Sequence, residues 1–367
     1  MKKKILALCL ASVLALGALV GCGQDNSKDN AQAASERPTT DMADRAIDLP
    51  EEINSIYSTS PIGTNLVYTF DDKLVTGVNV QLSDEEKMYM TDYYKNLPNL
   101  GGWFGKGNEG NVEEIIKAAP DIILSGGNVD QQTIDQADQL QKQIGIPVII
   151  IDTSFDKMAE TYRFLGKLVN NESRGEELAK YTEETIANAE KITKGLSDKE
   201  KVTVYYAEEK LGLNTDPSGS EHSRLIDLCG GINVADCEMT PGYGRTEVSM
   251  EQVIAWNPQC IISCVDNGFA DSGSYNTILT DSRWSVIKAV KDGRVYETPS
   301  KPQNWFDRPP SVNTIIGVKW VQAILYPDKV DYDIKKETKD FYSLFYHYDL
   351  TDDEVDELLA NSLGVEK

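Results

Sequence analysis

The sequence predicts an α/β protein built of two Rossmann-like lobes with mainly parallel sheets, joined by one long α-helix. Three observations carry this. Short apolar runs alternate with amphipathic stretches from Ile53 to about Thr153, and the alternation restarts after residue 200. Strands that alternate with helices imply a parallel sheet covered on both faces. Between the two series lies a helical region of about 40 residues with no strand in it. Finally, the halves echo one another. "GNVEEIIKAAPDIILSGG" and "TEVSMEQVIAWNPQCIISCVD" each place an acidic residue early in an amphipathic helix, end the helix at a proline and run straight into an apolar strand.

The N-terminal lobe is expected over residues 42–154. "NSIYST" and "KLVTGVN" read as strands, "NVEEIIKAAP" as a helix closed by Pro120, "DIILSGG" as a buried strand ending in glycines, "QTIDQADQLQKQIG" as a helix and "IPVIIID" as a second buried strand. Residues 155–196 form the linker region. Met158, Tyr162, Leu165 and Leu168, then Leu178, Tyr181, Ile186, Ala189 and Ile192, follow helical spacing with a break at Asn170-Asn171. The second segment, about 22 residues, would extend about 33 Å.

In the C-terminal lobe, 197–330, "KVTVYYAE" and "QCIISCVD" read as strands, and "SRLIDLCGG", "SMEQVIAWNP" and "SVNTIIGVKWVQAILYP" as helices. "AVKDGRVYETP" reads as a hairpin or strand around Asp292-Gly293. Residues 331–367 complete the chain as a C-terminal helical extension, in which "TDDE" places a capping box at Thr351 and Glu354.

Ahead of the lobes, "MKKK" is a positive n-region and "ILALCLASVLALGALV" an apolar run of signal-peptide length, so residues 1–21 are expected to direct export. "LVGC" resembles a bacterial lipobox, which implies cleavage before Cys22 and lipid on its thiol. The polar stretch over 22–41 lacks the apolar side chains needed to fold and is expected to be a flexible tether on the extracytoplasmic face of the cell membrane. Losing Lys2, Lys3 and Lys4 takes the formal charge from −23 to −26. Such a chain has no electrostatic affinity for nucleic acid. Cys229, Cys237, Cys260 and Cys264 remain, and export permits disulfides, but the sequence does not choose among their three pairings. Their spacing does not suit zinc, and the only histidines are His222 and His347, so no metal site or cofactor is expected.

The stretches "DMADRAIDLP", "GNVEEIIKAAPDIILSGG", "GIPVIIID", "LCGGINVA", "EVSMEQVIAWNPQCII" and "NWFDRPPS" occur in an order and spacing that resembles the substrate-binding lipoproteins of ATP-binding-cassette importers for ferric siderophores, haem and cobalamin. The resemblance covers about residues 42 to 330. It implies that Glu113 and Glu251, one on each lobe, dock on the permease dimer, which works with its ATPase; Glu114 is the substitute for Glu113 if the register shifts by one. Each also lies where a helix dipole favours a carboxylate.

In open α/β sheets ligands bind beyond the carboxyl ends of strands. Loops 58–64, 101–108, 125–128 and 241–247 and the stiff "PQNWFDRPPS" segment are therefore expected to line an interlobe cleft. A flat anionic chelate offers π faces and peripheral oxygens, so Trp103, Tyr243 and Trp305 are the expected faces and Arg245 and Arg308 the expected charges. In the bland alternative, Trp305 and Phe306 plug the interlobe core and Arg308 pairs with Asp307. Trp256 and Trp320 sit at core positions, and His222 reads as a surface or capping residue.

The expected function is thus capture of a metal chelate, foremost a ferric siderophore or related iron complex, then a corrinoid or haem. A small oxyanion such as molybdate or tungstate is the alternative cargo. An exported chelatase-like enzyme ranks last, because no nucleophile, zincin or phosphate-loop motif is present.

Overall fold

The computed structural model describes residues 37–105, 107–240, 245–266 and 273–364. Strands β1 (Ile56–Ser58), β2 (Ile122–Gly127) and β3 (Val148–Asp152) pair in parallel in the order β1-β2-β3. The next strands are β4 (Thr203–Ala207), β5 (Asn214–Thr215), β6 (Ile232–Asn233), β7 (Thr246–Glu247), β8 (Cys260–Ser263) and β9 (Val295–Glu297). Four of them form a second parallel sheet in the order β6-β4-β8-β9, while β5 and β7 make a short antiparallel pair. The alternation read from the sequence is therefore that of two parallel sheets.

The long connection forms as two helices, Met158–Leu168 and Glu172–Lys194, and the break falls where Asn171 caps the second. At 23 residues the second helix runs about 35 Å. The two pack closely because glycine meets glycine: a Cβ on Gly175 would fall 2.6 Å from the Tyr162 carbonyl oxygen.

Two local readings need correction. "KLVTGVN" is not a strand: Asp72–Leu74 is a turn of 3-10 helix, and Val75 and Val78 make only isolated bridges. "AVKDGRVYETP" supplies the strand of the two alternatives, as β9, but no hairpin: Asp292-Gly293 instead closes a helix, Lys288–Asp292, with Gly293 at φ 71°. Aspartate-glycine marks a reversal in either setting, and the helix C-cap is what this sequence uses.

The lobes are not independent bodies. One continuous apolar core runs from Leu66 and Tyr68 through Leu165 and Leu178 of the linker to Tyr206, Trp305 and Trp320, and on to Phe341 and Phe345 of the C-terminal extension. That extension contains the Ile334–Phe341 helix, a π-helical turn over Tyr342–Tyr346 and the Asp352–Leu358 helix, whose Thr351–Glu354 capping box is formed. It straps both halves. On the N-terminal side the Tyr68 hydroxyl donates to the Tyr346 carbonyl at 2.8 Å, and from the linker Arg174 Nη2 donates to that of Leu344 at 2.5 Å. On the other side Trp320 Nε1 donates to Ser362 O at 2.8 Å, and Glu297 N donates to Asn361 O at 2.9 Å.

Candidate ligand-binding groove

Residues at the carboxyl ends of β1 and β2 and the loop 303–311 after β9 border the candidate groove, and the loops on its N-terminal side are held mainly by backbone carbonyls. Asn79, buried and not singled out in the sequence, gathers three segments of the N-terminal wall. Its Nδ2 donates to Ser58 O at 2.7 Å and Gly101 O at 2.9 Å, and its Oδ1 accepts from Thr64 Oγ1 at 2.6 Å. Gly102 lies so close to Thr59 that an added Cβ would stand 2.4 Å from its carbonyl oxygen, which also accepts from Trp103 N at 2.8 Å. The Trp103 indole rests on the Gly110 backbone, where a Cβ would meet its Cη2 at 2.4 Å.

Two cavities open along this wall. The smaller, about 300 Å³, is framed by Thr59, Ser60, Trp103, Phe104, Ser125 and Gly126, with Thr133, Gln136, Gln139 and Gln143 facing it from the Gln131–Ile144 helix. The larger, about 530 Å³, draws on both lobes: Pro61, Ile62, Val78, Leu82, Met90 and Tyr94 on one side, Gln303, Pro309, Pro310 and Ser311 on the other. Ser60 and Phe104 border both, so the two spaces meet there. Across the groove Gln303 Nε2 donates to Glu86 Oε1 at 3.4 Å, and Val312 N donates to Asn65 Oδ1 at 3.2 Å. Among the described residues Glu86 is the only charged side chain that lines either cavity.

Of the residues expected at the cargo, Trp103 lines the smaller cavity. Tyr243 and Cys22 lie outside the described residues. Trp305 stands elsewhere: it is fully buried in the shared core beside Tyr342, with ring centroids 6.4 Å apart, and its carbonyl oxygen sits where a Gly317 side chain would begin. Phe306 stacks on Tyr206 at 4.4 Å. The indole held between prolines thus braces the C-terminal wall from behind, as in the plug alternative.

Arg308 is also turned inward. Its Nε donates to Glu208 Oε1 at 2.9 Å and its Nη2 to Asp216, with Asp307 at 3.7 Å. Arg245, at φ 50°, pairs with Asp266 and stands 3.6 Å from Glu208. These carboxylates follow the ends of β4, β5 and β8, and none of them lines either cavity; sequence reading missed them because no fixed spacing links 208, 216 and 266. His222 is neither a cap nor free. Ser220 caps its turn, and His222 Nδ1 meets Asp307 Oδ2 at 2.5 Å, an interaction that raises the imidazole's affinity for protons.

Glu113 and Glu251 are solvent-exposed in the first turns of helices Val112–Ala118 and Met250–Trp256, capped by Asn111 and Ser249. All four described cysteines are free thiols, three of them buried. Among the described residues no group of three or more His, Cys, Asp or Glu is placed to hold a metal ion.

Residues 75–302 match the family model described as periplasmic binding protein. The chain belongs to that family. As a binding protein of this kind it is an extracytoplasmic solute-binding protein of the ABC-transporter class. It is similar to an ABC transporter solute binding protein from Sulfurospirillum deleyianum, with 32% identity, a TM-score of 0.77, and coverage of 87% of this chain and 98% of that one. It is also similar to the molybdate-binding protein MolA of Haemophilus influenzae, 26% identical across 94% of this chain and 96% of the relative. The iron-uptake system-binding protein of Bacillus subtilis is 22% identical over 82% and 92% respectively. No described helix of this binding protein is long and apolar enough to cross a membrane.

Proposed function

We propose that the protein captures a metal chelate, a ferric siderophore or related iron complex, in the groove between its lobes and delivers it to the permease and ATPase of an ABC importer. The observation that carries this reading is the larger cavity: about 530 Å³, walled by aliphatic and aromatic side chains from both halves, with amides and hydroxyls at its edges. That is the size and chemistry of a site for an organic ligand, and the iron-uptake relative points the same way. Arginine does not clamp the chelate in this reading, since Arg245 and Arg308 are engaged with carboxylates; ring faces and neutral donors hold it instead.

A second reading, a molybdate-like oxyanion, is favoured by the likeness to MolA and by the first turn of the Pro61–Phe70 helix, which opens into the cavity with Ser60 and Thr64. Helix N-termini suit anions. Titration of the soluble chain with a neutral ferric trihydroxamate and, separately, with molybdate, followed by tryptophan fluorescence, decides between them. Saturable binding of the chelate alone supports the first reading; saturation by molybdate alone replaces it with the second.

In the same reading Glu113 and Glu251 form the permease contacts and a lipid on Cys22 holds the protein at the membrane. Charge reversal at either glutamate is expected to leave chelate binding and folding unchanged while abolishing uptake in cells. Mass spectrometry of the membrane-extracted protein checks the lipid.

A further inference from the structure

Among the described residues, the cluster behind the loop 302–311 holds more acid than base. Glu208, Asp216, Asp266 and Asp307 surround two guanidiniums, Arg245 and Arg308, and one imidazole, His222. Three of these carboxyl groups are well supplied. Asp216 accepts from Arg308 and from Ser220 Oγ at 3.0 Å, Asp307 meets His222, and Asp266 meets Arg245. Glu208 differs. It is 1% exposed, its Oε1 accepts from Arg308, and its Oε2 is buried with no hydrogen-bond partner. A charged oxygen left so is costly. Asp216, equally buried, accepts from the same Arg308 guanidinium, so two carboxyl groups share one cation, and two such neighbours can bond to each other only if one carries a proton.

We propose that Glu208 is held as a neutral carboxylic acid whose proton bridges to Asp216, and that this bridge is a clasp that positions the loop wall of the groove. The chain of contacts is short. Glu208 follows β4, Asp216 follows β5, and both grip Arg308, whose next three residues, Pro309, Pro310 and Ser311, line the larger cavity. Glu208 is faced by Arg308 from the loop, Asp216, Arg245, Tyr206 of its own strand and Cys264 beyond β8; Asp307 stands against Arg308 with His222 behind it, and Asp266 and Glu209 stand against Arg245. Burial opposes its ionisation most strongly, Arg308 favours it, Asp216 opposes it, and the balance pushes the carboxyl up to about 8. Once ionised, Glu208 repels Asp216 and the clasp loosens.

Only the last step, the effect on capture, rests on the groove being the cargo site. Glu208→Gln keeps an acceptor for Arg308 and an N–H donor for Asp216 but cannot titrate. A group whose acidity is weakened by folding stabilises the fold below its unfolded value near 4.3, and this is lost as pH rises towards 8. In thermal unfolding without cargo, the Tm of the wild type relative to Glu208→Gln should fall by roughly 4 °C between pH 5.5 and 8.5. A difference that stays constant, or grows with pH as for an ionised salt bridge, overturns the proposal. Hydrogen exchange over residues 302–311, corrected for intrinsic rates, should quicken severalfold in the wild type from pH 6.5 to 9 and not in the variant; equal quickening also overturns it. A neutral ferric trihydroxamate should bind the wild type about tenfold more weakly at pH 9 than at pH 7, and Glu208→Gln with little change. No binding of that probe at any pH counts against the groove reading, while the unfolding and exchange results still decide the clasp.

Discussion

The two walls of the groove solve the same problem with opposite materials. The N-terminal wall is nearly neutral, Glu86 being its one charged side chain at the cavities among the described residues: one buried amide, Asn79, gathers backbone carbonyls and leaves Trp103, Phe104 and a row of hydroxyls and glutamines there. The C-terminal wall is ionic: Arg308 and Arg245 are consumed by carboxylates, and Trp305 and Phe306 are consumed by the core. A charged side chain survives burial only when it is paired, so the wall that uses charge as scaffold has none left over for cargo. The neutral wall keeps its chemistry exposed. Sequence alone reads a tryptophan and an arginine beside each other as a ligand contact; packing shows them as a brace.

The sharpest break of this contrast is loss of the C-terminal brace. Trp305→Ala removes a fully buried indole, and Arg308→Met strands Glu208 and Asp216 as uncompensated buried acids. Each is expected to cost about 3–5 kcal/mol, read by urea unfolding. Survival of either variant with wild-type stability would show that the brace is incidental. On the other wall, Asn79→Ala strands the Ser58 carbonyl and the Thr64 hydroxyl and leaves the Gly101 carbonyl with Tyr57 Oη alone; it should cost ~2 kcal/mol, with the 101–105 segment exchanging faster.

Trp103→Ala sharpens the comparison from the other side. The indole is only half-buried, so stability should change by no more than about 1 kcal/mol, whereas affinity for the ferric chelate should fall about tenfold. Trp103→Ala destabilising as much as Trp305→Ala, with binding intact, would reverse the roles assigned to the two rings.

Period and punctuation explain what could be read in advance. Parallel strands buried on both faces write themselves as apolar runs, as in "IPVIIID" and "QCIISCVD", and Pro120, Asn171 and the Thr351 box mark helix ends through backbone rules that act within a few residues. Of the loops expected to line a cleft, 58–64 supplies Thr59, Ser60, Pro61, Ile62 and Thr64 to the cavities and 101–108 supplies Trp103 and Phe104, because glycine and proline allow close backbone approach. The partners of Arg308 were not. Glu208 and Asp216 lie 100 and 92 residues away, and nothing local separates them from the other acidic residues of the chain. The same holds for Asn79, one polar residue in a stretch misread as a strand, and for the C-terminal strap, whose aromatics fill space between lobes that local pattern cannot bring together.

The smallest effect concerns the rim of the ionic wall. His222 is about a third exposed, and its Nδ1 contact with Asp307 raises its proton affinity, against a weaker opposing effect of burial. A raised value in the fold means stability that is fully present below the unfolded value near 6.5 and is lost as pH climbs past the folded one. His222→Gln should therefore be most damaging near pH 5.5, by no more than about 1 kcal/mol, and close to neutral at pH 9. Glu208 acts in the same direction but begins at lower pH, because its unfolded reference is a carboxyl. Any downward slope of Tm that persists above pH 6.5 in Glu208→Gln then belongs to His222, and it should vanish in the double variant. If it persists there, a group outside this cluster is titrating, and the rim contact with Asp307 contributes geometry rather than charge.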